Sequence, residues 1–203
     1  MCVAANGGAG INMENSFFAL VFRQRYIKRW GLMRNVNDEN LAEHCAEVAM
    51  LAHALALIGN KYFGKDYDTG KITTAALYHD AAEVYTGDMP TPVKYFTPEM
   101  RSNYKGIEDS AISALLSHLP EDIRDDYRTV LNYPEEYEKI IKAADKLCAY
   151  IKCIEEVKCG NSEFEKAKSS TLASLKALGC EELEFFTEKY LPAFELTLDE
   201  MQN

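Results

Sequence analysis

The stretch Ala75-Ala76-Leu77-Tyr78-His79-Asp80-Ala81-Ala82-Glu83 decides how this chain is interpreted. His79 and Asp80 stand next to each other in an apolar segment whose composition otherwise favours a helix. Placing polar or charged side chains in such surroundings costs free energy unless they have partners. Adjacent histidine and aspartate side chains can supply two ligands to one metal ion, so the pair indicates a metal site.

Two further residues complete a candidate ligand set. His44 lies upstream in Glu43-His44-Cys45-Ala46-Glu47, and Asp145 lies downstream in Lys142-Ala143-Ala144-Asp145-Lys146-Leu147. All four residues are predicted to lie in helical segments. By itself His44 could be a core histidine with satisfied hydrogen bonds, and Asp145 could be a buried acceptor. Because all four occupy apolar surroundings, together they favour one divalent transition metal ion: Co, Mn, or another such as Zn, Ni, Fe or Cu.

Glu83 is the first candidate catalytic residue. It follows His79 by four positions and Asp80 by three, so a continuous helix would place the three side chains on one face. A metal ion with open coordination positions can polarise a phosphoryl group and acidify a bound water. A carboxylate beside it can orient that water or take its proton. The ordinary alternative is a glutamate on a helix surface.

Asp88 and the pair Arg29-Trp30 are further candidates. Asp88 opens the segment Asp88-Met89-Pro90-Thr91-Pro92, directly after the predicted metal-binding helix, and could protonate a leaving oxygen or bind a sugar. It could equally be a turn residue after Gly87. Arg29 can bind phosphate through two parallel hydrogen bonds, and Trp30 offers a flat wall for a sugar or base. Their ordinary role would be a packed aromatic anchor and a cation at a helix C-terminus.

Composition predicts the class of the protein. The chain has 203 residues, is 47% hydrophobic and contains only 11 Gly and 6 Pro, which favours long helices around a sizeable core. The net charge of -10 argues against a nucleic-acid polymer as partner. We predict no transmembrane helix. The six cysteines form no CxxC pair, which predicts free thiols in a reducing cytoplasm.

Periodicity predicts an all-α fold, a compact single-domain bundle of about seven to nine helices. Residues 1–14 are predicted to be a disordered extension, and 15–203 the domain. The loop over 88–92 is expected because two prolines two residues apart do not fit a helix interior. The predicted helices, with ends set by capping residues, Gly and Pro, are Ser16–Gly31, Asn40–Ile58, Asp68–Tyr85, Pro98–His118, Glu121–Asn132, Pro134–Lys158, Ser162–Leu178 and Glu181–Tyr190.

The order His44, His79-Asp80, Asp145 resembles the HD-domain superfamily of metal-dependent phosphohydrolases. Longer motifs resemble one family within it, the bacterial HD-domain 5'-deoxynucleotidases, over about Phe17 to Glu200. These motifs are Arg29-Trp30-x-Leu32-Met33-Arg34-Asn35, the specific run Gly87-Asp88-x-Pro90-Thr91-Pro92-Val93-Lys94, and Ala144-Asp145-x-Leu147-Cys148-Ala149-Tyr150. Lys146 and Cys45 depart from the expected pattern.

The resemblance implies an activity and a set of roles. These enzymes release phosphate from deoxyribonucleoside 5'-monophosphates with a divalent metal such as Co or Mn, tolerate different bases, disfavour ribonucleotides and are dimeric. It implies that Arg29 orients the phosphate, that Trp30 crowds the sugar 2' position, and that Glu83 and Asp88 act with Arg29 in catalysis. The implied metal ligands are His44, His79, Asp80 and Asp145; the implied substrate-binding residues are Arg29, Trp30, Asp80, Asp88, Met89, Pro90, Thr91 and Asp145.

Two rival functions remain open. The chain could be another HD hydrolase, acting on a cyclic nucleotide or a nucleoside triphosphate. It could also be a nucleotide-sensing module without turnover, although a sensor has no need of Glu83 together with Arg29. A purely structural helical scaffold leaves the polar residues in the helices unexplained.

Overall fold

The computed structural model describes residues 15–94 and 96–202, and within these ranges the protein is all-α, as predicted. Seven helices have nine residues or more, within the predicted number, and the others have four or five. Short 3-10 segments cover Phe22–Tyr26, Ser162–Phe164 and Leu191–Glu195. The α-helices are α1 (Phe17–Val21), α2 (Leu41–Tyr62), α3 (Thr69–Leu77), α4 (Glu83–Thr86), α5 (Thr91–Lys94), α6 (Pro98–Ser117), α7 (Glu121–Leu131), α8 (Glu135–Lys158), α9 (Glu165–Lys176), α10 (Glu181–Lys189) and α11 (Leu198–Gln202).

Some predictions concern residues beyond the described part of the chain. The expected extension over 1–14 falls there, so it stays a prediction. Five of the six cysteines lie within the described residues, where they are free thiols as predicted.

Helix α2 forms the centre of the main core. Asn40 caps its N-terminus by accepting hydrogen bonds from the backbone N–H groups of Ala42 and Glu43, and the Glu43 side chain bonds back to Asn40 N. The helix packs against α3, α8 and α10. No transmembrane helix was predicted, yet α2 could cross a membrane by length and composition. However, 56% of the relevant window is buried inside the protein. Such burial is the pattern of a core helix.

The predicted helix over Ser16–Gly31 is wrong beyond its first turns. After α1 and one 3-10 segment, the chain extends at Ile27 and pairs with the segment before α2. Arg29 N donates to the carbonyl of Glu39 (3.0 Å), and Leu41 N donates to the carbonyl of Ile27 (2.9 Å). These bonds use backbone groups that a helix would have needed, and they bring Arg29 beside Glu39.

The predicted helix over Asp68–Tyr85 is also interrupted. Asp68 caps its start as expected, but α3 ends at Leu77 and turns carry the chain through residues 78–82 to α4. Here the backbone hydrogen bonds join residues three positions apart, as in a 3-10 helix. For example, Glu83 N donates to Asp80 O (3.0 Å). His79 and Asp80 therefore lie in turns rather than in a helix, and the prediction that Glu83 shares a helix face with them is wrong.

The segment over 88–92 is a loop only in its first half. Gly87 ends α4 with a positive φ of 70°, which favours glycine. Thr91 then begins the four-residue helix α5, with Pro92 in its first turn. Proline is tolerated there because the first N–H groups of a helix have no intrahelical partner. The prediction of a loop was therefore wrong for Thr91 and Pro92.

Candidate metal centre and substrate cavity

Three elements of the fold bring the four candidate metal ligands together. His44 comes from the first turn of α2, His79 and Asp80 from the turns after α3, and Asp145 from the middle of α8. His44 Nε2 lies 3.1 Å from Asp145 Oδ1 and 3.7 Å from Asp80 Oδ2. His79 Nε2 lies 3.2 Å from Asp80 Oδ2. The structure thus brings the four side chains into one cluster, in which ligand atoms of His44, His79 and Asp145 lie within 4.8 Å of one another.

The histidine nitrogens are suited to a cation. His79 Nδ1 lies 2.8 Å from the carbonyl of Ala76, a contact that requires the proton on Nδ1 and leaves the Nε2 lone pair for a ligand. Within the described residues, both ring nitrogens of His44 and Nε2 of His79 are buried and have no partner in hydrogen-bond geometry, although carboxylates lie close by. Buried nitrogens of this kind are costly unless they bind something. Two imidazoles and two carboxylates therefore fit a divalent transition metal ion.

Electrostatics favours ionised carboxylates at this centre. Burial opposes ionisation of Asp80 and Asp145, but His79 and His44, when protonated, outweigh it and hold both pKa values below the ordinary range. Arg29 also lowers the pKa of Asp80. Two carboxylates that stay ionised supply the charge needed to neutralise a divalent ion.

Arg29 joins the centre to its surroundings. Its Nη1 lies 3.6 Å from Asp80 Oδ2 and 3.5 Å from Asp88 Oδ1, and its Nε donates to Glu39 Oε1 at 3.0 Å. Burial lowers the pKa of Arg29. These carboxylates and Asp145 outweigh it and raise that pKa above its already high ordinary value. The guanidinium is therefore a permanent cation between a candidate metal ligand and the predicted sugar-binding loop.

Glu83 is a buried carboxyl group, 7% exposed, close to the same acidic residues. Its Oε2 is buried, with no hydrogen-bond partner among the described residues. Burial, followed by the charges of Asp80 and Asp88, raises the pKa of Glu83 to about 9. A divalent ion at Asp80 would favour the ionised form, because opposite charge lowers a carboxyl pKa.

A cavity of about 630 Å³ opens beside the centre, a volume typical of small-molecule sites. Its walls include seven of the eight predicted substrate-binding residues. Asp80 does not line the cavity but contacts Arg29, which does. Lys146, noted as a departure from the expected pattern, also lines it. A second cavity of about 370 Å³, around Tyr67 and Glu182, contains none of the predicted site residues. The predicted residues on the larger cavity are Arg29, Trp30, Asp88, Met89, Pro90, Thr91 and Asp145.

Trp30 adopts a backbone conformation that is uncommon for its residue type. Its φ is +58°, in the left-handed region, which costs free energy and is found at functional sites when the surroundings hold it in place. The indole Nε1 donates to Glu39 Oε2 at 2.8 Å, and the ring lies 5.3 Å from that of Phe164. These contacts fix one face of the indole against the protein while the residue lines the cavity.

Comparison with known proteins decides the family. The model of the family described as 5'-deoxynucleotidase YfbR-like matches residues 16–194. The chain belongs to the YfbR-like 5'-deoxynucleotidase family. It is 47% identical over 191 residues to a 5'-deoxynucleotidase of Vibrio cholerae serotype O1, covering 93% of this chain and 98% of the relative. It is 46% identical over 191 residues to the 5'-deoxynucleotidase YfbR of Escherichia coli strain ATCC 8739, covering 93% and 96%.

Solved structures share the fold of this YfbR-like chain. An HD-domain phosphohydrolase from Listeria innocua superposes with a TM-score of 0.78 at 23% identity, covering 93% of this chain and 92% of that one. The cyanophage S-2L HD phosphohydrolase DatZ, solved with dA and one catalytic Zn²⁺ ion, gives a TM-score of 0.60 at 22% identity, covering 84% and 94%. At this level of identity the likeness establishes the HD-domain fold.

Two residues beside the site of this YfbR-like chain were not predicted to take part. Glu39 is 9% exposed and contacts Arg29, Trp30 and His44. It lies in a polar stretch before α2, where no periodicity distinguishes a buried glutamate from an exposed one. Cys45 was noted only as a departure, yet its Sγ lies within 4.8 Å of ligand atoms of His79 and Asp80.

Proposed function

We propose that this protein is a metal-dependent phosphomonoesterase that hydrolyses deoxyribonucleoside 5'-monophosphates to deoxyribonucleoside and phosphate. The observation that carries the proposal is the position of Arg29, within 3.6 Å of both Asp80 and Asp88, on the wall of a nucleotide-sized cavity in a YfbR-like chain. The names of its relatives support the same activity.

The residues divide the chemistry between them. His44, His79, Asp80 and Asp145 would hold one divalent metal ion, which when bound polarises the phosphoryl group and acidifies water. Arg29 binds the phosphoryl oxygens and stabilises the charge that develops during in-line attack. The new bond joins the water oxygen to phosphorus, and the bond that breaks joins phosphorus to the sugar 5' oxygen.

Glu83 and Asp88 are proposed to handle protons. Glu83, which has one free buried oxygen, orients the attacking water and accepts its proton. Asp88 has a raised pKa, caused mainly by burial, while the adjacent Arg29 lowers it. A protonated Asp88 can donate to the leaving 5' oxygen or hold the sugar from its position on the cavity wall.

Trp30 is proposed to select the sugar. Its indole is held by Glu39 and borders the cavity together with Asp88, Met89, Pro90 and Thr91. A rigid ring in that position leaves room for the hydrogen at C2' of deoxyribose and crowds the ribose hydroxyl.

The cellular setting, the oligomeric state and the metal are proposed as well. The protein acts in the cytoplasm as a homodimer, with Co or Mn as the metal and without a membrane or nucleic-acid polymer as partner. The net charge of -10 and the buried free thiols support the cytoplasmic assignment and the lack of affinity for polymers.

The test is product analysis with purified protein and added Mn²⁺. Deoxyadenosine and inorganic phosphate should appear from dAMP, while cyclic AMP and dATP should remain intact. The Asp80→Ala variant should bind little metal and release no phosphate. Turnover of cyclic AMP or dATP instead would establish another HD hydrolase, and nucleotide binding without any turnover would establish a sensor.

A further inference from the structure

Glu39 contacts three side chains to which different tasks are assigned. Its Oε1 accepts a hydrogen bond from Arg29 Nε at 3.0 Å and lies 3.2 Å from His44 Nδ1, and its Oε2 accepts one from Trp30 Nε1 at 2.8 Å. We propose that Glu39 is a positioning residue that links metal binding to sugar selection, an inference that rests on the proposed function.

The contact with His44 bears on the metal. A carboxylate beside Nδ1 favours the tautomer with its proton on Nδ1, which leaves the Nε2 lone pair facing Asp80 and Asp145. Carboxylates in this relation to a metal-binding histidine also raise the basicity of the ligand and fix the ring orientation. Glu39 is therefore placed to strengthen metal binding without touching the ion.

The contacts with Arg29 and Trp30 bear on the substrate. One oxygen of Glu39 holds the guanidinium from behind, so that Nη1 points towards Asp80 and Asp88. The other oxygen holds the indole, whose backbone is in the uncommon left-handed region. Because both donors bind the same carboxylate, a shift of the Trp30 indole displaces the Arg29 guanidinium, and a shift of the guanidinium displaces the indole.

The backbone around Glu39 is itself anchored. The carbonyl of Glu39 accepts from Arg29 N, and the preceding loop is tied to α8 through the fully buried carboxylate of Glu156. Glu156 accepts from the backbone N–H groups of Val36 and Asn37 at 2.9 and 3.0 Å. Glu39 is thus fixed at both its backbone and its side chain, as positioning requires.

The first test uses Glu39→Ala. Zn²⁺ affinity, measured by competition with a chromophoric chelator, should fall about 10- to 100-fold, the usual effect of losing such a partner. The emission of Trp30, the only tryptophan, should change because its indole loses its acceptor. The ratio of kcat/KM for dAMP over AMP should fall several-fold. A folded variant that keeps either the metal affinity or the Trp30 emission of the wild type overturns the proposal.

Glu39→Gln covers the case in which the alanine variant does not fold. A glutamine has one carbonyl oxygen, so it cannot accept from both Arg29 and Trp30. At least one of the two measured properties, metal affinity or Trp30 emission, must therefore change. Unchanged metal affinity and unchanged Trp30 emission would refute the proposal. The matched control is Glu182→Gln, another buried carboxylate, which bonds Tyr67 near the opposite end of α2 and should leave both properties unchanged.

The readouts separate this inference from the proposed function. Metal affinity and Trp30 emission do not require turnover, so they test Glu39 even if the wild-type protein releases no phosphate from dAMP. Suppose that the Glu39 variants lose metal affinity and change the Trp30 emission, while the wild type shows no turnover. This result would uphold the positioning role of Glu39 and reject the deoxynucleotidase activity.

Discussion

The guanidinium of Arg29 lies 3.6 Å from the carboxylate of Asp80, so a permanent cation adjoins a candidate metal ligand. A phosphate bound between Arg29 and a metal ion held at Asp80 would meet positive charge from two directions. Arg29→Lys keeps the charge but loses the planar pair of donors. We expect kcat/KM for dAMP to fall about 100-fold, the scale of losing one donor to a developing oxyanion, while metal affinity is retained.

Steady-state kinetics and metal titration check this prediction. Arg25→Lys is the matched control, because Arg25 is exposed and its Nε bonds the backbone of Phe22, outside the site. A kcat/KM for Arg29→Lys within a few-fold of the wild type would remove Arg29 from phosphate binding.

Glu83→Gln should separate proton transfer from metal binding. Glutamine keeps the shape of the side chain but cannot accept a proton, so kcat should fall about 10²- to 10⁴-fold. Glu83 is not among the proposed ligands, so metal affinity should change little. Glu99→Gln, on the exposed first turn of α6, is the control. Near-normal kcat in Glu83→Gln would assign proton transfer to another group.

Trp30→Ala should narrow the gap between deoxyribonucleotides and ribonucleotides. Removing the indole opens the cavity beside the sugar, so kcat/KM for AMP should rise relative to that for dAMP. Trp30→Phe is the informative partner because it keeps a ring near Phe164 but cannot donate to Glu39. An unchanged ratio in the alanine variant would exclude Trp30 from sugar selection.

The ion pair Lys152–Glu156 predicts a dependence of stability on pH. Burial raises the pKa of Glu156, but Lys152, Asn161 and two backbone N–H groups outweigh it and lower the pKa from 4.5 to about 2. A carboxylate with a depressed folded-state pKa stabilises the fold above pH 4.5, and that contribution is lost as the pH falls from about 4.5 towards 2. The full contribution is on the order of 3 kcal/mol.

Urea unfolding of the wild type and Glu156→Gln between pH 7 and pH 3 tests this. The variant should be less stable at pH 7, because Lys152 loses its buried partner. The difference in free energy of unfolding should shrink as the pH falls below 4.5. A constant difference across this range would show that ionised Glu156 is not what stabilises the loop. The exposed Glu165→Gln should differ little from the wild type at any pH.

The sequence predicted the long helices because their apolar residues recur at helical spacing. It failed where tertiary contacts replaced helical hydrogen bonds. Residues after Tyr26 look helical locally, but Arg29 and Leu41 bond the paired segment instead. Around His79 the segment is apolar enough for a helix, yet the turn there lets the imidazole bond the carbonyl of Ala76.

The residues of the candidate site were predicted from the sequence, and the structure shows which of their side chains contact one another. His44, His79, Asp80 and Asp145 converge as expected, although two of them lie in turns. Glu39 could not be found from the sequence, because its importance comes from side chains that only the fold brings together. The hydroxyl-bearing wall of the cavity, Ser170, Thr171 and Ser174, was missed for the same reason.

The most direct test of the account is phosphate release from dAMP and AMP, measured side by side on metal-stripped protein to which Mn²⁺ or Co²⁺ is restored. We expect no release without metal, and with metal a release from dAMP that is much faster than from AMP. Equal rates would keep the phosphatase and reject selection by Trp30. No release from dAMP with any divalent metal would contradict the proposed function itself.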